Sequence, residues 1–228
     1  MTAEGQWCLA WAATRGGSVV RAAMDTRKKW KSQVITIGFL DDDADEDLMD
    51  RVKAAAKGWV GPDGANLRFV FLNDVSDAEI RISFKLSGSW SVLGNSALQI
   101  PRDRPTMNFG WLTPNSSETQ VRSVVLHEFG HAIGLIHEHQ NPAEGIPWNK
   151  PQVYRDLAGP PNHWDREKVD RNLFAVYDSN VTNHTAVDPR SIMMYPIAKS
   201  WVTDPDFARD LNTDLSDVDR TFIHEQYP

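Results

Sequence analysis

The sequence predicts an α+β fold: a mostly β first half with one helix, a central helix, and a last part that is largely loop and ends in a helix. Three observations lead there. Four short segments rich in β-branched and aromatic residues fall before residue 113, a proline-free helical pattern runs over 117–134, and five prolines then interrupt 141–163.

In order, residues 1–26 are rich in Ala and Gly without a sustained period, and are read as an N-terminal extension, a candidate propeptide, ahead of a domain spanning 27–228. VITIGFL at 34–40 has the makeup of a strand, and the acidic residues at 41–47 open a helix that runs to about Gly58. Strands follow at 67–73 and 79–85; in the second, Ile80, Ile82 and Phe84 alternate with Arg81, Ser83 and Lys85, which predicts one buried and one wet face. TMNFGWL at 106–112 is a further strand. Ser117 with Gln120 caps the central helix, the proline-rich stretch 141–163 reads as mostly loop, 164–177 as a short helix, and Ser216 with Asp219 caps the last one.

Composition bounds the function. Of 228 residues, 41% are hydrophobic and 24% charged, ordinary globular usage. With 24 Lys+Arg against 31 Asp+Glu the net charge is −7, so no broad positive field exists for a nucleic acid, and none is expected as a partner. No apolar run approaches the roughly 20 residues that span a bilayer, and the start lacks a basic region leading into an apolar one. Neither membrane anchor nor signal peptide is expected, and the chain is expected to be a monomer. Cys8 is the only cysteine, so no intrachain disulfide can form. The sequons at Asn115, Asn180 and Asn183 are read as chance matches.

The chemistry lies in HEFGHAIGLIH, residues 127–137. His127 and His131, four apart on a helix, point the same way and can grip one ion. Gly134 can take the positive φ that stops the helix and swings the chain round to deliver His137 as a third ligand. Three nitrogens leave one tetrahedral position for water, the arrangement of a catalytic Zn2+. Glu128, directly after the first ligand, can reach that water as general base and then protonate the leaving amine.

HExxHxxGxxH is the pattern of the metzincin zinc peptidases, matched in full by His127, Glu128, His131, Gly134 and His137. SIMMYP at 191–196 resembles the Met-turn of that family, with Met193 as the methionine beneath the zinc, and its Ser-Ile-Met-x-Tyr form resembles the astacin branch. AEIRISF, GSWSVLG, NLFAVY and LSDVDRTFIHEQYP fit the same branch, so the likeness runs from about residue 27 to the end. The resemblance implies a zincin fold with a twisted, mostly β N-terminal lobe and a smaller, irregular C-terminal lobe that carries the Met-turn and terminal helix, a zinc-dependent endopeptidase acting on extended polypeptides, and a single catalytic zinc. It further implies that Tyr195 is both a zinc ligand and the phenol that stabilises the oxyanion; without it, Tyr195 reads as a core tyrosine. By the same analogy Ser89, Trp90 and Ser91 lie on an edge strand that pairs with substrate, although Trp90 is equally read as a packing residue.

The sequence departs from typical astacins after His137, where EHQNP stands in place of their Arg and Asp-Arg-Asp continuation, and this points to a bacterial-type astacin-like group. In astacins the glutamate after the third histidine meets the processed N-terminus, and Glu138 takes that place. Cys8 is either a thiolate that keeps the zinc latent or an inert residue, and Lys199 either lines the pocket beyond the cut or is solvated. His139, His163, His184 and His224 are read as surface residues. Two other functions stay open: a narrow-specificity processing protease or toxin, and a zinc-containing peptide binder without turnover.

Overall fold

The computed structural model describes residues 9–11, 24–140, 145–160, 162–175, 182–183 and 187–228. Its strands are β1 (Leu9–Trp11), β2 (Met24–Asp25), β3 (Val34–Phe39), β4 (Arg68–Phe71), β5 (Ile80–Ser83), β6 (Ser89–Val92), β7 (Met107–Phe109) and β8 (Thr182–Asn183). Its α-helices are α1 (Glu46–Ala56), α2 (Glu118–Ala132), α3 (Lys150–Ala158), α4 (Arg166–Val169) and α5 (Asp217–Gln226).

Six strands form one sheet in the order β1-β6-β7-β5-β3-β4, and β2 pairs with β8 in a separate antiparallel ribbon. Within the large sheet only the β6–β7 pair is antiparallel. Parallel strands need crossover connections, and α1 supplies the one between β3 and β4. Asp45 starts α1 by accepting the Leu48 N–H at 2.8 Å, so the acidic run does open a helix, and Leu48, Val52, Ala55 and Ala56 face the core.

The alternation in 79–85 does not give a wet face. Arg81 is 1% exposed and Ser83 5%, because β5 lies between β3 and β7 and the segment 97–104 covers its other side. The buried guanidinium is accommodated because its N–H groups donate to the carbonyls of Ala78, Glu79, Ile100, Pro101 and Arg104 at 2.9–3.2 Å.

Within 141–163 α3 occupies Lys150–Ala158, and the other described residues lie in loops and turns. Pro151 sits in the first turn of α3, where its missing N–H costs nothing. Downstream, α4 continues as a π-helical turn over Asp170–Phe174, and α5 carries the expected capping box between Ser216 and Asp219.

Two large apolar clusters divide the described residues, beside a small one of Leu93 and Ile136. The larger one, including Ile35, Ile37, Val52, Ile82, Phe109, Val125, Leu126 and Phe129, lies between the sheet and helices α1 and α2. The second large one, including Val153, Leu157, Trp164, Leu173, Tyr195 and Trp201, holds the C-terminal part together. Among the described residues, no helix is long and apolar enough to cross a membrane.

Candidate metal centre

Helix α2 carries the first two imidazoles. Ser117 caps it by accepting the Gln120 N–H at 3.2 Å. The last carbonyls of a helix have no partner within it, and here distant side chains supply donors: Trp30 Nε1 to Ala132 O at 2.7 Å and the Tyr227 hydroxyl to Ile133 O at 2.8 Å. Gly134 then has φ +102°, a conformation L side chains resist, while a Cβ there would meet nothing closer than 3.5 Å. Backbone geometry rather than crowding therefore requires glycine, and the reversal brings His137 back against His131.

Both helix imidazoles are oriented by main-chain carbonyls. His127 Nδ1 lies 2.8 Å from Ile192 O, and His131 Nδ1 lies 2.8 Å from Leu135 O. A carbonyl only accepts, so each Nδ1 carries the hydrogen and each Nε2 presents a bare lone pair. Nε2 of His131 and of His137 approach to 3.0 Å, and Nε2 of His127 is buried without a hydrogen-bond partner. One nitrogen from each of the three rings lies within 4.8 Å of the others.

Burial holds the His127 pKa down to about 4 and those of His131 and His137 well below the usual imidazole value, His131 and His137 also through their charged-form repulsion of neighbouring rings. Neutral rings with converging lone pairs and an orphaned Nε2 are the donor set that fits zinc.

Glu128 follows the first of these ligands and is 1% exposed. Beneath the helix, the sulfur of Met193 occupies the space a Cβ on Gly130 would fill. Met193 is fixed through its main chain: its carbonyl accepts the Glu138 N–H at 3.0 Å and its N–H donates to Ser191 Oγ at 3.1 Å. Asp219, in the first turn of α5, accepts from Ser191 Oγ at 2.6 Å and from the Ile192 N–H at 2.8 Å. The residue whose carbonyl orients His127 is thus tied through its own N–H to a helix cap, and burial raises the Asp219 pKa despite these donors.

The ring of Tyr195 is buried, with its centroid 4.2 Å from that of His137 and 5.9 Å from that of His127. His139 is no surface residue. It is 3% exposed, stacked on Tyr195 at 4.5 Å, and burial lowers its pKa to about 4. The turn Glu138–Gln140 explains this: its side chains dock inward, Glu138 accepting the Asp188 N–H, His139 bonding to Asn172 O and Gln140 donating to Arg171 O. His163 and His224 are exposed as expected, Lys199 is exposed in a 3-10 turn, and Cys8 and His184 lie outside the described residues.

Ser89, Trp90 and Ser91 lie in β6, which packs against α2. Both serines are buried, Trp90 is half-buried against the main core, and Ser91 Oγ donates to Val92 O. One side of the strand pairs with β7. The other is not a free edge here, since β1 pairs with it in parallel, Leu9 opposite Trp90 and Ala10 opposite Ser91.

The carbonyls of Ile192 and Leu135 and the second role of Asp219 have no signal of their own in the sequence; Asp219 alone was visible, as part of a cap.

No protein-family model and no curated protein matches the chain. Among solved structures it is similar to one of myroilysin, with 40% identity, 91% of this chain and 98% of that one covered, and a TM-score of 0.84. The chain belongs to the astacin-like metzincins. A crystal structure of myroilysin also aligns, at 37% identity over 99% of this chain and 92% of that one, with a TM-score of 0.69. The hatching enzyme HCE-1, a zinc-protease from the medaka fish Oryzias latipes, shares the fold at 20% identity, covering 90% and 96% of the two chains with a TM-score of 0.57. This astacin-like chain is a zinc metalloendopeptidase, and its three-histidine cluster fits one catalytic zinc.

Proposed function

We propose that the protein hydrolyses internal peptide bonds of extended polypeptides, with Glu128 as general base and Tyr195 as the donor to the developing oxyanion. The convergence of three neutral imidazoles beside a buried carboxylate carries this reading. Zinc held by His127, His131 and His137 would supply Lewis acidity and bring the pKa of a coordinated water to about 7.

Glu128 takes the proton of the attacking water and passes it to the amine that leaves. A buried carboxylate at this place has no use in a protein that only binds peptides, which weighs against a binder without turnover. Tyr195 lies with its ring centroid 4.2 Å from that of His137, and its phenol supplies a preorganised dipole as charge builds on the carbonyl oxygen. Met193 packs under Gly130 as the methionine of the Met-turn and fills the floor of the site.

Substrate is held by the main chain of Ser89, Trp90 and Ser91. Support comes from β1, an extended segment of this chain that already pairs with β6. On this reading residues 1–26 are an extension whose removal frees the strand, and 27–228 are the catalytic domain. A small cavity of about 10 Å³, lined by Glu138, Asp188, Ser191 and Asp219 among others, holds a buried Asp188 Oδ2 without a hydrogen-bond partner. Those acids would suit the ammonium of a processed N-terminus.

Casein digestion by wild type and Glu128→Ala tests the proposal. The variant should retain zinc and lose cleavage by about 10²–10⁴-fold. Equal cleavage by both purified proteins would overturn it.

A further inference from the structure

His139 is the buried polar ring at the centre that the chemistry above leaves unused. Its imidazole lies face to face with Tyr195, centroids 4.5 Å apart and planes 23° from parallel, and is stacked on His137 at 5.2 Å and 26°. Trp148 meets it edge-on, at 6.4 Å and 88°. The ring is also tethered: Nε2 lies 2.9 Å from the carbonyl of Asn172, which can only accept, so Nε2 carries the hydrogen. Asn172 is itself held by its Nδ2 donating to Lys168 O at 2.7 Å.

Packing alone does not account for an imidazole here. Its Nδ1 is buried with no hydrogen-bond partner, a destabilising arrangement that a phenylalanine of similar shape would avoid. What imidazole offers and phenylalanine lacks is a flat face whose rotation is locked by a hydrogen bond. That face rests on the Tyr195 ring, and the lock runs to the segment 166–174, a part of the chain that contributes no ligand.

We propose that His139 is a positioning residue for Tyr195: its tethered ring holds the phenol beside His137 in the place from which it acts on the reacting carbonyl. The inference rests on the assignment of Tyr195 to oxyanion stabilisation. A phenol free to tilt would spend less time aligned with the developing charge, and such preorganisation, rather than substrate affinity, is what a rate depends on.

The test is a double-mutant cycle in casein or peptide hydrolysis, with His139→Leu, Tyr195→Phe and the double variant, each checked for one bound zinc per chain. His139→Leu should lower kcat about tenfold, part of the loss that follows removal of a whole oxyanion donor, with KM little changed. In the Tyr195→Phe background the same replacement should cost nothing further, and His139→Phe, which restores a flat ring, should recover part of the rate. Copper(II)-substituted protein gives a second readout: a phenolate-to-copper absorption present in wild type, absent in Tyr195→Phe, and shifted or weakened in His139→Leu. Should His139→Leu fail to fold, His139→Asn, which keeps a donor but no aromatic face, serves in the same cycle.

Equal losses from His139→Leu in both backgrounds, or a kcat at wild-type level beside an impaired Tyr195→Phe, would overturn the positioning role alone. A Tyr195→Phe enzyme as fast as wild type would overturn the assignment of Tyr195, and the role of His139 with it.

Discussion

The two large apolar clusters are built differently, and the turn at 191–194 is where they meet. The N-terminal one rests on a six-stranded ladder with two helices laid on it, so backbone hydrogen bonds and a continuous apolar face hold it. The C-terminal one has short helices, single 3-10 turns and aromatic rings, tied by side chains reaching backbone, as in Asn149 Nδ2 to Ser200 O and Gln140 Nε2 to Arg171 O. Successive residues divide between them: Met193 packs into the first cluster, Met194 and Tyr195 into the second. The rigid part therefore holds the helix that carries His127, Glu128 and His131, while the part with fewer ladders holds the phenol. A ligand set needs fixed geometry, which the backbone ladder supplies on the first side, whereas the phenol on the second is held by ring packing.

Damage to the rigid side should have the largest effect. His131→Ala, which removes a ligand whose partner nitrogen on His137 lies 3.0 Å away, should leave protein with no retained zinc after dialysis and background activity, measured by elemental analysis and peptide hydrolysis. Phe129→Ala opens a hole in the fully buried first cluster, and its cost should be about 3–5 kcal/mol in denaturant unfolding. On the other side, Tyr195→Phe should keep zinc and KM while lowering kcat about 10²-fold in steady-state assays. A loss of zinc in that variant would show that the two regions are not separable in this way.

A pH series sharpens the same contrast. Burial pushes the Tyr227 pKa up to about 12, against an ordinary value of 10.0, so the folded state keeps the proton that the unfolded chain gives up. Its contribution is complete below pH 10 and is lost as pH rises from 10 to 12, by up to about 3 kcal/mol. Urea unfolding between pH 8 and 12 should show this loss in wild type and not in Tyr227→Phe. The smallest effect belongs to the second cluster: Trp201→Phe removes the bond from Nε1 to Asp156 Oδ2, 2.7 Å long, and should cost about 1 kcal/mol with zinc content unchanged.

Much of the site was legible before any fold was known. The spacing of His127 and His131, the glycine at 134 and the caps at Ser117 and Ser216 are local, and local rules of helix geometry and backbone angle act on residues a few positions apart. Misreadings arose where a rule about one element met something from another. The alternation in β5 promises a wet face, yet the segment 97–104 covers it. His139 lacked ligand spacing, yet its turn docks against residues 171–172.

The sequence by itself determined which side chains can converge on a metal and which carboxylate follows the first of them, since these follow from the 3.6-residue period and from one glycine. Only the tertiary structure decided how the rings are aimed, through the carbonyls of Ile192 and Leu135, what lies against Tyr195, and that β1 covers β6. Periodicity states which residues share a face; what that face meets depends on segments tens of residues away, whose approach is set by packing and by the need of every buried polar group for a partner.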